Sequence, residues 1–180
     1  SGSVSLATGQ SGRAAQFAGA SGDYLTYDEY VGSGTKPIGS KIQSTGEMSV
    51  FVIARRNGAG NGEEGIIGPA SGARWRLTAN SAGNKKLRWL ILGSAVNVYA
   101  TTAIVDGQDF TGGGTVTPSR VAIYFHGVNE ASTGGDTINP SGQTFNLGDG
   151  QGNFNGLIYF AAFWWRALGD HEMKALHDAP

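Results

Sequence analysis

Apolar and polar residues alternate over short stretches of this chain, and glycine, serine and asparagine close each stretch off. The clearest alternation covers residues 48–56. Met48, Val50, Val52 and Ala54 fall on one face, and Ser49, Phe51, Ile53 and Arg55 on the other. A period of two is that of a β-strand, and apolar residues on both faces predict a central strand with cover on at least one side. Shorter runs of the same character occupy residues 14–17, 24–27, 65–68, 75–78, 87–92, 121–125 and 145–147, with one or two strands within 96–105. Residues 18–23 read as a hairpin-style connection between the first two runs, and residues 80–84 as the turn pairing the strands at 75–78 and 87–92. The last and most apolar run, 157–165, carries Tyr159, Ala161, Phe163 and Trp165 on one face and Ile158, Phe160, Ala162 and Trp164 on the other.

Helix is predicted only at the end. Gly169 followed three residues later by Glu172 resembles a capping box, Met173 and Leu176 share a helical face, and Pro180 stops the segment. Many short strands and one short helix predict an all-β, two-sheet antiparallel sandwich rather than an α/β fold. No repeat or long linker divides the chain, so residues 1–180 are expected to form a single domain, read as a segment of a longer protein.

Composition narrows the function classes. Hydrophobic residues make up 39% of the chain and charged residues 15%, a balance that supports a core and not disorder. The 30 glycines lack a period of three, which makes them turn residues instead of a collagen repeat. A net charge of −1 leaves no electrostatic footprint for nucleic acid, and the basic pairs Arg55-Arg56 and Lys85-Lys86 are not patches. There is no cysteine, hence no disulfide framework or thiolate metal site. No apolar run approaches the length of a membrane span.

The C-terminal stretch Gly156-Leu157-Ile158-Tyr159-Phe160-Ala161-Ala162-Phe163-Trp164-Trp165-Arg166-Ala167-Leu168, followed by Glu172-Met173-Lys174-Ala175-Leu176, resembles the closing strand, Arg-Ala-Leu corner and short helix of laminin G-like, concanavalin A-like jelly rolls. Gly12 to Gly19 followed by Asp23-Tyr24-Leu25 is similar to that family's opening strand and hairpin. Met48 to Arg55, Val121 to Gly127 and Asn146 to Gly150 match further strand and turn motifs in order. The resemblance implies a two-sheet jelly-roll sandwich. It further implies a domain appended to a phage virion protein or a bacterial or extracellular surface protein, with tailed-phage and prophage versions the most similar. Localisation on a virion or an extracellular surface follows as an expectation.

Two departures from the family matter. Members that bind Ca²⁺ place an acidic residue where this chain has Tyr159, so that site is expected to be lost. The family's strand near residue 110 becomes Gln108-Asp109-Phe110-Thr111-Gly112-Gly113-Gly114. Three glycines with no side chains to pack predict a strand lost or locally remodelled.

The residues offer little for catalysis. Glucan-cleaving sandwiches align alternating carboxylates on one strand face, whereas Asp28-Glu29 and Glu63-Glu64 are adjacent pairs that would point to opposite faces. His171-Glu172 lacks the second histidine a zinc-protease helix needs, because position 175 is Ala and His177 faces elsewhere. His126 has no triad partner in the sequence, and no Gly-x-Ser-x-Gly elbow is present. No catalytic residue is assigned and no enzyme activity is expected. No cofactor is required; for Ca²⁺ the candidate ligands are Asp149, with Gln151, Asn153 and Asn155, and Asp23 by family position.

Aromatic residues are the remaining lead. Trp75, Trp89, Tyr24 and Tyr27 are candidate glycan-stacking residues, with burial in the core as the competing reading. Phe160 and Trp164 lie on the face that family members keep polar, so either the C-terminal helix or another subunit must cover them. The expected function is a non-catalytic surface-binding module, directed to glycans or to other virion or surface proteins. The alternative is a structural, oligomerising or decorating domain without a small ligand.

Overall fold

A computed structural model describes residues 5–9, 12–20, 24–27, 45–60, 62–69, 75–79, 83–91, 96–136, 138, 145–148 and 152–179. With strands numbered in chain order, the first sheet runs in space as β1 (Ser5–Gly9), β2 (Gly12–Ala18), β14 (Asn155–Trp164), β4 (Met48–Arg56), β9 (Asp109–Val116), β10 (Arg120–Phe125) and β11 (Val128–Gly134). The second runs as β3 (Leu25–Tyr27), β12 (Phe145–Leu147), β5 (Glu64–Pro69), β6 (Trp75–Ala79), β7 (Lys86–Ile91) and β8 (Val96–Ala103). Neighbours along both orders are antiparallel, and among the described residues only the two-residue β13 (Gly152–Asn153) pairs in parallel, with β5. One helix, α1 (Asp170–Asp178), follows β14. The chain is an all-β jelly-roll sandwich with a short C-terminal helix.

Alternation explains the core. Met48, Val50, Val52 and Ala54 of β4 are fully buried between the sheets. They meet Leu77 of β6 and Leu87, Trp89 and Ile91 of β7, together with Val121, Ile123 and Phe125 of β10. The other face of β4 also packs. Phe51 joins Ala122, Tyr124, Leu168 and Met173 in a second cluster, with Ile53, Trp164 and Leu176 against it. This cluster lies between the first sheet and α1, so the central strand is covered on both sides.

The glycine run is not a break. β9 is a full strand paired with β4 on one side and β10 on the other. Its glycines are there because neighbouring side chains fill the space a Cβ would need. A Cβ on Gly112 would lie 2.3 Å from Leu87 Cδ1, and one on Gly114 2.4 Å from Trp89 Cδ2. On the opposite face, a Cβ on Gly113 would lie 2.3 Å from Met173 Cε. Packing across the sandwich and beneath the helix overrides the weak strand propensity of glycine.

Other expectations shift in detail. Residues 18–23 do not join a hairpin, because β2 lies in the first sheet and β3 in the second. The pairing of β6 with β7 holds, with Leu77 opposite Trp89. In β14 a register irregularity between Ile158 and Phe160 interrupts the alternation. A bulge of this kind switches the faces beyond it: Ile158 joins Ala161 and Phe163 on the core side, while Phe160 and Trp164 face outward. Residues 126–127 form the β10–β11 turn with φ of +49° at His126 and +73° at Gly127, the signs of a type I′ hairpin.

Candidate functional site

The four aromatic candidates separate. Trp75 and Trp89 are fully buried, 5.7 Å apart between ring centroids, and belong to the core between the sheets. They cannot form an external stacking platform, because period-two alternation turns both toward the opposite sheet. Tyr24, immediately before β3, is 43% exposed. Tyr27 lies in β3, and its side chain is outside the described residues.

The outer face of the second sheet carries a polar strip with one exposed ring. Tyr99 on β8 lies beneath the Arg88 guanidinium, 5.6 Å from Cζ to the ring centroid. Arg88 Nε donates to Asn97 Oδ1 (2.7 Å) and Nη1 to Glu63 Oε1 (2.7 Å). Glu63 therefore faces outward, while its neighbour Glu64 turns inward to a buried arginine. Arg56 Nη2 donates to Glu64 Oε1 (2.6 Å) and Arg56 Nε to Oε2 (3.0 Å), with both side chains essentially inaccessible. Arg56 also pairs with Asp106, which holds Lys85 Nζ at 2.8 Å. Adjacent positions in an extended chain thus place the two carboxylates on opposite sides, as alternation requires.

A concave site forms where β14 turns into α1. Trp164, Arg166, Leu168, Glu172, Ala175 and Leu176 line an open pocket of about 280 Å³. Arg166 makes a two-pronged contact with Glu172, Nη1 to Oε2 at 2.8 Å and Nη2 to Oε1 at 2.5 Å. The Gly169 N–H donates to Glu172 Oε2 (2.9 Å), the half of a capping box that a glycine cap permits. The hydrogen bonds from Arg166 first, and then from Gly169, lower the Glu172 carboxyl to about 2. The corner itself is pinned by buried Ser49, whose Oγ donates to the Arg166 carbonyl (2.9 Å) and accepts from the Leu168 N–H (2.8 Å). The helix packs on Trp164 and leaves Phe160 45% exposed, edge-on to Phe51 at 6.4 Å between centroids. Sequence reasoning singled out Trp164 but missed Arg166 and Glu172 as site residues. The capping position of Glu172 and the Arg-Ala-Leu corner were the available signals.

Of the cation candidates, only Asn153 and Asn155 lie among the described residues; Asp23, Asp149 and Gln151 lie outside them. Asn153 is buried in β13, and Asn155 Nδ2 donates to the Ala59 carbonyl at 3.4 Å. At the family's acidic position, the Tyr159 hydroxyl instead donates to Asp109 Oδ1 (2.8 Å), beside Arg55 Nε at 2.7 Å. Burial opposes ionisation of Asp109, but the hydrogen bonds from Arg55 and Tyr159 outweigh it and hold the carboxyl below its ordinary range. A guanidinium supplies the positive charge there. Among the described residues, no three His, Asp or Glu side chains form a metal-holding group.

No protein-family model and no curated protein matches the sequence. Solved structures do match in shape. The chain is similar to Domain 4 of AbnA, a GH43 extracellular arabinanase from Geobacillus stearothermophilus, in complex with arabinotriose. That match has TM-score 0.71 and 21% identity, and covers 99% of this chain and 82% of that one. It is also similar to botulinum neurotoxin type C, whose cell entry depends on two ganglioside molecules, with TM-score 0.72 and 11% identity over 98% of this chain and 44% of the toxin chain. Trypanosoma rangeli sialidase in complex with the inhibitor DANA matches with TM-score 0.69 and 14% identity, over 98% of this chain and 31% of that one. At these identities the likeness is one of fold: the chain shares the concanavalin-like jelly-roll sandwich that these proteins contain.

Proposed function

We propose that this chain is a non-catalytic glycan-binding module of a phage virion protein or another extracellular surface protein. The observation that carries the reading is the likeness, over 99% of this chain and 82% of the matched one, to a domain solved in complex with arabinotriose. The ganglioside dependence of the matched toxin supports the same class of ligand. The arrangement of the Glu63–Glu64 pair fits capture better than cleavage. Glycoside hydrolysis by paired carboxyls needs them flanking one bond, about 5–9.5 Å apart, whereas Glu63 and Glu64 face opposite sides and each is held by its own arginine.

Titration calorimetry with a panel of neutral and acidic oligosaccharides, with chromatography of the recovered sugar, tests the proposal. The expected result is saturable binding with the sugar returned intact. A monomer silent on every glycan overturns it. A second reading, an oligomerising or decorating domain, draws on the exposure of Phe160 (45%) and Trp165 (47%). A stable homo-oligomer in light scattering that binds no sugar is the result that favours it.

A further inference from the structure

We infer that the pocket at the β14–α1 corner takes one uncharged sugar ring, stacked face-on against Trp164 with its hydroxyls on the Arg166–Glu172 pair. This rests on the glycan-binding reading and assigns it a location and a ligand class.

A sugar ring presents an apolar C–H face and a rim of hydroxyls, each both donor and acceptor. Its site needs a flat apolar wall and a few fixed polar groups. The pocket offers both. The half-buried indole of Trp164 supplies the wall, flanked by Leu168, Ala175 and Leu176. At about 280 Å³ it falls just below the range of drug-sized ligand sites, which starts at about 300 Å³, and so suits one ring.

The polar groups are spare as well as fixed. A guanidinium has five N–H donors, and Glu172 engages one from each Nη of Arg166. The Nε–H and the second hydrogen on each Nη remain on a rim whose Arg166 side chain is 55% exposed. The Glu172 carboxylate accepts three of these hydrogen bonds, from Arg166 twice and from Gly169 once, leaving acceptor capacity for a hydroxyl. The pair is preorganised, because Ser49 clamps the backbone on both sides of the corner and the carboxylate is tied to the helix N-terminus. Preorganised groups lose less entropy on binding.

The charge of the pair selects the ligand class. Guanidinium and carboxylate cancel at the rim, so an acidic sugar gains no net attraction and must displace Glu172 to reach Arg166. The carboxyl of Glu172, held at about 2, keeps this cancellation throughout the ordinary pH range. The Tyr99 strip is the rival location. It is a flat strand surface on which Asn97 Oδ1 is already occupied by Arg88.

The test uses the full chain and titrates arabinotriose and a panel of neutral and uronate-containing trisaccharides by calorimetry. Ala175→Phe fills the pocket from an exposed helix position without removing a core contact, and Arg166→Lys keeps the charge while losing the fork. Both are expected to weaken binding of a neutral trisaccharide by about tenfold or more. Tyr99→Ala is expected to bind as the unaltered protein does, with near-identical circular dichroism for all variants. If Tyr99→Ala abolishes binding and Ala175→Phe leaves it unchanged, the pocket assignment falls while the glycan-binding reading stands. Binding restricted to uronates overturns the uncharged class. No binding of any sugar overturns both.

Discussion

The packing of the glycine strand yields a sharp stability prediction. In Gly114→Ala the new methyl carbon would sit 2.4, 2.6 and 2.8 Å from Cδ2, Cγ and Cε2 of the Trp89 indole. Carbon–carbon contacts settle at about 3.5–4.0 Å, so the ring or the strand must move by about 1 Å. Neither is free to do so. Trp89 is fully buried against Trp75, and β9 is hydrogen-bonded on both sides. Overpacking of this kind costs about 1–3 kcal/mol, offset in part by the roughly 0.4–1 kcal/mol that removing a glycine takes from unfolded-chain entropy. A net loss of about 1–2 kcal/mol lowers Tm by about 2–8 °C in a domain of this size. Gly134→Ala is the internal control, since a Cβ there meets nothing within 4 Å and the position has no positive φ. It is expected to be neutral or slightly stabilising. Urea unfolding by tryptophan fluorescence measures both, with m unchanged if only stability is altered. Combining Gly114→Ala with Trp89→Leu is expected to cost less than the sum of the two single changes, because the smaller side chain frees the space the methyl needs. Equal midpoints for Gly114→Ala and Gly134→Ala would refute the reasoning.

Three further perturbations follow from the charges. Replacing Glu64 by Gln leaves buried Arg56 short of its main counter-charge and is expected to destabilise by about 3–5 kcal/mol in urea unfolding. Arg56→Met with Glu64→Leu together should cost markedly less; equal losses would contradict this. The Glu172 carboxyl is lowered in the folded state from an ordinary 4.5 to about 2, so its contribution is present above about pH 4.5 and disappears as pH falls toward 2. The Tm gap between the unaltered protein and Glu172→Gln is therefore expected to close over that interval, and a gap that persists at pH 2 would count against the ion pair. His126 is held below its usual 6.5 by burial and then by the neighbouring His177, partly opposed by Glu130, so protonation disfavours the fold. His126→Asn, which tolerates the left-handed backbone, is expected to flatten the decline in Tm as pH falls below 6.5; an unchanged slope would exclude this histidine as the cause.

Much of the architecture was legible along the chain. The alternation over β4 assigned both of its faces, the β6–β7 pairing followed from two apolar runs and a turn, and Glu172 after Gly169 located the start of α1. In each case the cause is local: side-chain period, turn chemistry or a backbone cap. The candidate site was less legible. Trp75 stands between two arginines, Trp89 follows one, and Trp164 stands between Phe163 and Trp165, yet the first two are sealed between the sheets and the third lines a pocket. That difference depends on what stands across from each ring.

By itself, then, the sequence determined the strand period, the predominance of β-structure and the C-terminal helix, because these rest on interactions between residues a few positions apart. Only the tertiary structure decided that Gly112, Gly113 and Gly114 build a central strand, that the irregularity after Ile158 exchanges the faces of β14, and that Arg166 and Glu172 meet beside Trp164. A glycine is a weakness or a fit according to the side chain that enters its space, and that side chain belongs to another sheet or to the helix. Steric complementarity between distant segments exists only once the sandwich has closed.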